Sequence, residues 1–429
     1  MNYREANKLL YSLINYERNK TKYHDFKLEK FKHFLTEISH PERRLNNVVL
    51  VAGTKGKGST ATMLASSLTA CGIKTGLFTS PHLLSWQERI RVDNRTIPTK
   101  EFCEILSSLL PLIRKHKLTF FETLTAVAFL YFLKEKTEWT ILEVGLGGRL
   151  DATNVVSPTL SIITRIGFDH TELLGEDLIL IAKEKAGIIH PQSTVITFQQ
   201  IPEVLAVIKE AAQKNGGEVI TENLICPETI KLHRLGSEFK IKNSPLSFFL
   251  PLLGEHQVEN TELVLSSLAR IKKDDNRITW EKVREGLAHT YVPARCELIS
   301  SQPEIMVDCA HNIDSSQALK EVIKKILKKR AIFVFGVAKD KKVFEMLSIL
   351  SAVGDYFVFT QAKHPRALNI EELTLHAEKL NLKFTTAKTV SQAIKKAIAR
   401  QRKEIIVITG SFYVVGEGMR YLRRRQIET

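Results

Sequence analysis

The run Gly53-Thr54-Lys55-Gly56-Lys57-Gly58-Ser59-Thr60 has the residue types and spacing of a site that holds nucleotide phosphates. Glycines let backbone N–H groups approach phosphate oxygens closely, the helix start that follows adds a favourable dipole, and a lysine adds a point charge. The spacing departs from the common G-x-x-x-x-G-K-[ST] pattern. Only two residues separate Gly53 from Gly56, and Gly58 stands between Lys57 and Ser59. A glycine-rich turn of purely structural purpose is the plain alternative. The apolar run Asn47–Ala52 before the loop and the helical pattern Thr60–Ala70 after it favour the phosphate site.

Further residues with chemical potential follow predicted strands. Ser80, in Thr79-Ser80-Pro81-His82, offers a hydroxyl to Mg²⁺, although Ser-Pro is also an ordinary turn. Glu143 ends a buried strand, where a carboxylate is costly unless it meets a cation. In Gly147-Gly148-Arg149-Leu150-Asp151-Ala152-Thr153-Asn154, Arg149 and Asp151 can grip an anionic or pterin-like substrate. The bland reading is a surface arginine and a helix-capping aspartate. Asp169-His170 follows another strand and can complete an oxygen- and imidazole-rich metal site. Lys183 and Lys185 sit near a helix end, either as functional cations or as a solvated face. His256-Gln257-Val258-Glu259-Asn260 offers amides to a purine. Arg295 and the run Asp308-Cys309-Ala310-His311-Asn312 belong to a second pattern further along the chain.

These residues need elements to hold them. Residues 1–45 read as amphipathic helices, with Leu9, Leu10, Leu13 and Ile14, and then Phe31, Phe34, Leu35 and Ile38, at helical spacing. Asn47–Ala52, Thr75–Thr79, Trp139–Val144 and Thr159–Thr164 read as strands. Thr60–Ala70, Phe102–His116, Glu122–Lys134 and Asp177–Ile189 read as helices. That alternation predicts a parallel sheet covered on both faces. In open parallel sheets, ligands bind outside the carboxyl ends of the strands, where Ser80, Glu143 and His170 fall. From about residue 290 the pattern restarts, with strands at Glu304–Asp308, Ala331–Gly336, Tyr356–Thr360 and Ile405–Thr409. The fold class is therefore α/β. A P-loop parallel-sheet domain over 1–292 precedes a smaller Rossmann-like α/β domain over 293–429. Catalysis is expected to be coupled to closure of the second domain.

Bulk properties narrow the class. A length of 429 residues exceeds one ordinary core. No stretch approaches 18 consecutive apolar residues, and the first residues lack a signal-like apolar core, so neither a membrane span nor a secretory leader is expected. Five scattered cysteines, none in a Cys-x-x-Cys pair, argue against a disulfide framework or a structural zinc and fit a reducing cytoplasm. The net charge is 62 − 47 = +15. It suits anionic ligands or reflects solvated lysine-rich faces. The densest basic runs lack interleaved aromatics, so no nucleic-acid groove is indicated.

The ordered motifs resemble folylpolyglutamate synthase/dihydrofolate synthase of the Mur ligase superfamily. They are Gly53–Ser59, Thr79–Leu83 with Gln87–Ile90, Glu143–Asn154, Asp169–Thr171, Glu184–Ile188, Gly254–Gln257 with Asn260, and Asp308–Asn312. The resemblance spans nearly the whole chain, and the run Glu143–Asn154 is its most specific part. It implies a Mur-type central ATPase domain and an ATP-dependent ligase that adds L-glutamate to dihydropteroate or to the tail of reduced folates. The route is an acyl phosphate, with ADP and phosphate released.

The resemblance also implies roles. Gly53, Thr54, Gly56, Lys57, Gly58, Ser59 and Thr60 hold the phosphates. Asn260, Arg295, Asp308 and His311 contact ATP. Ser80, Glu143 and His170 ligate Mg²⁺, and Lys185, if carbamylated, serves a second Mg²⁺. Catalysis falls to Lys57, Glu143, His170 and Lys185. Tyr23, His24, Asp25, Phe26, Thr119, Phe121, Arg149, Leu150 and Asp151 form the pterin side. A monovalent cation also belongs to the implied set, and the expected state is a cytoplasmic monomer without nucleic-acid or membrane partners. Three departures stand out: Lys55 where bacterial members usually carry Asn, Cys309 for a usual Gly, and Ala294 for the Gly before Arg295. The rivals are a muramyl-peptide or cyanophycin-type ligase, and a P-loop switch or nucleic-acid-dependent ATPase. The folate-like run Arg149–Asn154 and Phe120-Phe121-Glu122 speak against the first. The absence of an Asn-Lys-x-Asp motif speaks against the second.

Overall fold

A computed structural model describes residues 1–14, 28–168, 175, 177–221, 225–242 and 244–427. Tyr23, His24, Asp25, Phe26 and His170 lie outside the described residues. The chain divides into two compact units. The first holds Met1–Glu228, Phe239–Phe249 and Gln257–Thr290; the second holds Thr229–Glu238, Leu250–His256 and Tyr291–Thr429.

The first unit opens with helices α1 (Tyr3–Ser12) and α2 (Leu28–Glu37). Asn2 caps α1 in a reciprocal box with Glu5, which satisfies backbone groups the helix leaves open. Strand β1 (Val48–Ala52) is buried at every position, as befits a central parallel strand. It leads through the glycine-rich loop into α3 (Lys57–Ala70), buried from Ser59 to Leu68. Then come β2 (Thr75–Phe78), β3 (Ile90–Val92), β4 (Arg95–Thr96), α4 (Thr99–His116), α5 (Phe120–Glu135), β5 (Trp139–Glu143) and β6 (Leu160–Ile163). After these follow α6 (Leu178–Ala186), β7 (Thr194–Thr197), α7 (Pro202–Lys214) and β8 (Val219–Ile220).

These strands form one eight-stranded sheet in the order β4-β3-β2-β5-β1-β6-β7-β8. From β2 to β8 the pairs are parallel, whereas β2–β3 and β3–β4 are antiparallel. The order sets β1 between β5 and β6, with β2 beyond β5. The loops that leave the carboxyl ends of β1, β2, β5 and β6 are therefore neighbours, although they begin at residues 53, 79, 144 and 164. Phe31, Phe34, Phe102, Phe129, Phe132 and Leu142 are among the core residues that fix this arrangement.

Three strands, β9 (Pro227–His233), β10 (Gly236–Ile241) and β11 (Ser247–Leu250), form a small sheet in the order β11-β10-β9. Helices α8 (Glu255–Lys272) and α9 (Trp280–Ala288) follow. The second unit carries a six-stranded sheet in the order β12-β13-β17-β14-β15-β16. Its strands are β12 (Glu297–Ser301), β13 (Glu304–Val307), β14 (Ala331–Phe335), β15 (Gly354–Thr360), β16 (Phe384–Ala387) and β17 (Ile405–Thr409). Only β12 runs antiparallel to its neighbour. The mean pattern of alternating strands and helices matches the α/β expectation. The strands β3, β4, β7, β8, β12 and β16, at or next to the sheet edges, and the small sheet were not read from sequence, because they are short or lie outside a continuous apolar run.

Candidate active site

The phosphate loop takes its shape from two glycines in the left-handed half of backbone space, Gly53 (φ +137°) and Gly56 (φ +83°). Side chains fit neither position: a Cβ on Gly53 would overlap Thr164 Oγ1, and one on Gly56 would overlap Asn260 Oδ1. Gly56 is the N-cap of α3 and Lys57 its first residue, so the helix N-terminus opens on the loop. Lys57 Nζ donates to Gly53 O at 3.2 Å, which folds the amine back over the loop. Thr54 does a different task. Its N–H donates to Arg165 O at 2.9 Å, and its hydroxyl bonds to both the carbonyl and the N–H of Gly167 at 3.0 Å. It thereby ties the loop to the segment that leaves β6. Ser59 and Thr60 are buried in the first turn of α3.

Glu143 ends β5 next to that turn and is only 5% exposed. Ser80 N–H donates to its Oε2 at 2.8 Å. A Cβ on Gly58 would stand 3.2 Å from Oε1 and 3.3 Å from Oε2, so the glycine makes room for the carboxylate beside the helix start. The structure thus brings together Ser80, Glu143 and the phosphate loop from three strand ends. Lys185, also buried, reaches the same loop from the last turn of α6, where its Nζ donates to Gly53 O at 2.8 Å. Asn260, on α8, lies against Gly56 and donates through Nδ2 to Gln257 Oε1 at 3.3 Å.

The donor set suits a nucleotide with a hard cation. Glu143 and Ser80 offer oxygen donors of the kind such a cation takes, since Mg²⁺ is usually held by one or two carboxylates together with substrate phosphates and water. Among the described residues no cluster of three or more His, Cys, Asp or Glu side chains forms an all-protein metal cage. Thr60 Oγ1 and Thr164 Oγ1 are buried beside the loop and have no hydrogen-bond partner among the described residues. Such groups are costly unless a ligand or water meets them.

The residues read as the pterin side have definite tasks within the protein. Thr119 caps α5 in a box with Glu122. Phe121 packs under Gly145, where a Cβ would stand 2.7 Å from its ring, and lies 5.6 Å from the Phe78 ring. Asp151 accepts from the N–H groups of Gly145, Leu146 and Thr153 and from the Thr153 hydroxyl. Burial pushes its carboxyl up from the usual range, against the pull of those bonds. It shapes the loop after β5. Arg149 forms an exposed ion pair with Glu184 at 2.8 Å, and Leu150 beside it is half-buried.

In the second unit, Arg295 is flanked by two non-glycine residues in left-handed conformation, Ala294 (φ +53°) and Cys296 (φ +48°). Asp308 is buried and accepts from Cys296 N–H at 2.8 Å, the Cys296 thiol at 3.4 Å and Ala310 N–H at 2.8 Å. Burial raises its pKa, while the Arg295 charge and these bonds oppose the rise. His311 Nδ1 lies 2.8 Å from Cys309 O; a carbonyl only accepts, so Nδ1 carries the proton. Cys309 keeps a backbone outside the left-handed region, which explains how it stands where glycine is usual.

Several residues, most of them inside the motifs quoted above, were given no role from sequence. Buried Arg89 donates through Nε to His82 Nδ1 at 2.8 Å and lies over the Phe120 ring. Glu88 accepts from three consecutive N–H groups, those of Leu83, Leu84 and Ser85. The S-x-x-E spacing of Ser85 and Glu88 carried that signal. Asn154 and His190 are joined at 2.9 Å, with no local signal that they meet.

The chain matches the Mur ligase middle domain over residues 51–268 and the glutamate ligase domain of Mur ligases over residues 294–412. It is 32% identical to the dihydrofolate synthase/folylpolyglutamate synthase of Bacillus subtilis, over 91% of this chain and 93% of that one. It is 30% identical to the folylpolyglutamate synthase of Lacticaseibacillus casei, over 89% and 90% respectively. Among solved structures, a Mycobacterium tuberculosis folylpolyglutamate synthase complexed with ADP superposes with a TM-score of 0.85 at 30% identity, over 97% of both chains. An Escherichia coli relative in complex with DHPP and ADP gives 0.80 at 29% identity, over 94% of both. A Yersinia pestis bifunctional relative, complexed with AMPPNP and a Mn ion, gives 0.79 at 26%, over 92% and 93%. No described helix is long and apolar enough to cross a membrane. Ordered motifs, strand-end geometry and matches over nearly the whole length agree, and the chain belongs to the dihydrofolate synthase/folylpolyglutamate synthase family of the Mur ligases.

Proposed function

We propose that this chain is an ATP-dependent ligase that joins L-glutamate to dihydropteroate, to the glutamate tail of reduced folates, or to both. One observation carries the reading: Glu143 from β5 and Lys185 from α6 converge on the Gly53–Thr60 loop at the carboxyl end of β1. A carboxylate is a poor electrophile at neutral pH. Transfer of the ATP γ-phosphoryl group to the substrate carboxylate makes an acyl phosphate. The glutamate amine attacks it, and the tetrahedral intermediate collapses to an amide with loss of phosphate. Positioning and electrostatics dominate phosphoryl transfer. Lys57 and the amides at the start of α3 hold the phosphates and offset their charge.

Ser80 and Glu143 are assigned to one Mg²⁺, with His170 as a third ligand. Lys185, in carbamylated form, is assigned to a second. The bound ions supply charge neutralisation at the phosphates. A monovalent cation remains part of the proposal. Asn260, Arg295, Asp308 and His311 are assigned to the nucleotide. Phe121 and the segment Arg149–Asp151, with Thr119, are assigned to the pterin, as are Tyr23–Phe26. The proposed state is a cytoplasmic monomer without nucleic-acid partners.

The test is glutamate-dependent ADP release from dihydropteroate. Lys57→Ala and Glu143→Ala should each abolish it, and near-normal turnover in both would sink the assignment. Labelled glutamate offered with dihydropteroate, tetrahydrofolate and a UDP-linked muramyl acceptor separates this reading from the muramyl-ligase rival.

A further inference from the structure

The side chain of Asn154 is buried, and both its amide nitrogen and its amide oxygen are bonded inside the protein. Nδ2 donates to Gly187 O at 2.9 Å and to Arg149 O at 3.2 Å. Its Oδ1 lies 2.9 Å from His190 Nε2. Both carbonyls can only accept, which fixes the orientation of the amide. Oδ1 is therefore the acceptor, and His190 Nε2 carries the proton. Burial, with a smaller push from Lys32, holds His190 below its ordinary pKa.

These bonds span a backbone-to-backbone joint. The loop after β5 lies directly on the last turn of α6. A Cβ on Gly148 would stand 2.5 Å from Glu184 O and 3.0 Å from Lys185 Cα, and one on Gly187 would stand 2.8 Å from Arg149 Cα. Arg149 N–H donates to Glu184 O at 2.9 Å. Helix C-termini leave carbonyls without intrahelical partners, and here the loop supplies the donors. The turn that is fastened this way carries Lys185, whose amine reaches Gly53 O in the phosphate loop.

The geometry points to Asn154 as a positioning residue that fixes the Lys185 side chain against the phosphate loop by locking the loop after β5 to the end of α6. This rests on the reading of Lys185 as a member of the catalytic site. Asn154→Asp is the sharpest perturbation. It keeps the shape, removes both N–H donors and sets a carboxylate oxygen against two carbonyls.

The test is steady-state ligase turnover in the full chain. Misplacement of a catalytic group by about 1 Å can cost a hundredfold, so Asn154→Asp should lower kcat by about 10- to 100-fold. KM for the folate acceptor should stay within about threefold, because no side chain assigned to the pterin is substituted. In a Lys185→Gln background, the same substitution should cost less than about threefold more, since residues that act through one another are non-additive. An undiminished loss in that background overturns the inference, and so does a raised folate KM at parental kcat, which would make Asn154 a substrate contact. If Asn154→Asp does not fold, His190→Leu removes the single donor to Oδ1 and carries the same comparison, with His190→Gln expected to restore the rate. Parental kcat in Lys185→Gln removes the reading of Lys185 and this inference with it, while leaving the ligase assignment in place.

Discussion

Gly53→Ala probes the phosphate loop where the structure is least forgiving. Gly53 sits at φ +137°, a region in which an L side chain is strained by about 1–3 kcal/mol. The new methyl would overlap Thr164 Oγ1 and stand 2.9 Å from Thr164 Cβ and 3.0 Å from its backbone N. Carbon atoms pack at about 3.5–4.0 Å, so roughly 0.6–1 Å must be found. Thr164 cannot easily yield, because it is fully buried and its N–H is bonded to Ala52 O at 2.8 Å. Overpacking of this kind costs about 1–3 kcal/mol. The sum predicts a loss of about 2–6 kcal/mol, measured as a shift of the urea midpoint at constant slope. Gly53 O also accepts from Lys57 and Lys185, so ATP affinity by calorimetry should fall with stability. Adding Thr164→Ala deletes the overlapping hydroxyl but leaves the Cβ contact and the backbone strain. The double variant should regain about 1–2 kcal/mol and no more. A Gly53→Ala protein within about 0.5 kcal/mol of the parent, or full recovery in the double variant, would refute the steric and conformational account.

Three further outcomes follow from charges and their surroundings. Glu143→Gln keeps an acceptor for Ser80 N–H but removes the charge, so it should leave the fold intact and cut kcat by about 10²–10³-fold; unchanged kcat would remove Glu143 from the reaction. Withdrawal from water, aided by the Arg295 charge, holds His256 at about 4 instead of 6.5. Between those values the unfolded chain binds a proton that the folded chain refuses, so stability falls as pH drops from 6.5 toward 4, by about 2–3 kcal/mol from this group. His256→Gln should flatten that part of the urea-midpoint profile; an unchanged profile counts against the assignment. Arg149→Ala should cost no more than about 1 kcal/mol, because its ion pair with Glu184 is exposed. A tenfold rise in folate KM at that small stability cost would support Arg149 as a substrate contact, and an unchanged KM would leave it an ion-pair partner.

The parts of this protein whose signals are local were legible in the chain alone. The buried run Val48–Ala52, the glycines that follow and the start of α3 are contiguous, so the phosphate loop was legible as one segment. Glu143 was legible for a similar reason: a carboxylate ending an apolar strand calls for a cation. How segments distant in the chain come to share one place emerges from the folded arrangement. Strand order sets the ends of β2, β5, β1 and β6 side by side. That order brings Ser80 N–H to Glu143 and Lys185 to Gly53, across 63 and 132 residues of chain. It also separated residues that one motif had joined. Within Arg149–Asn154, Arg149 pairs with Glu184, Asp151 caps and shapes the loop, and Asn154 fastens it to α6. Residue type and spacing report what a side chain can bond; which partner it meets depends on the packing of helices and strands around it, and no local pattern encodes that.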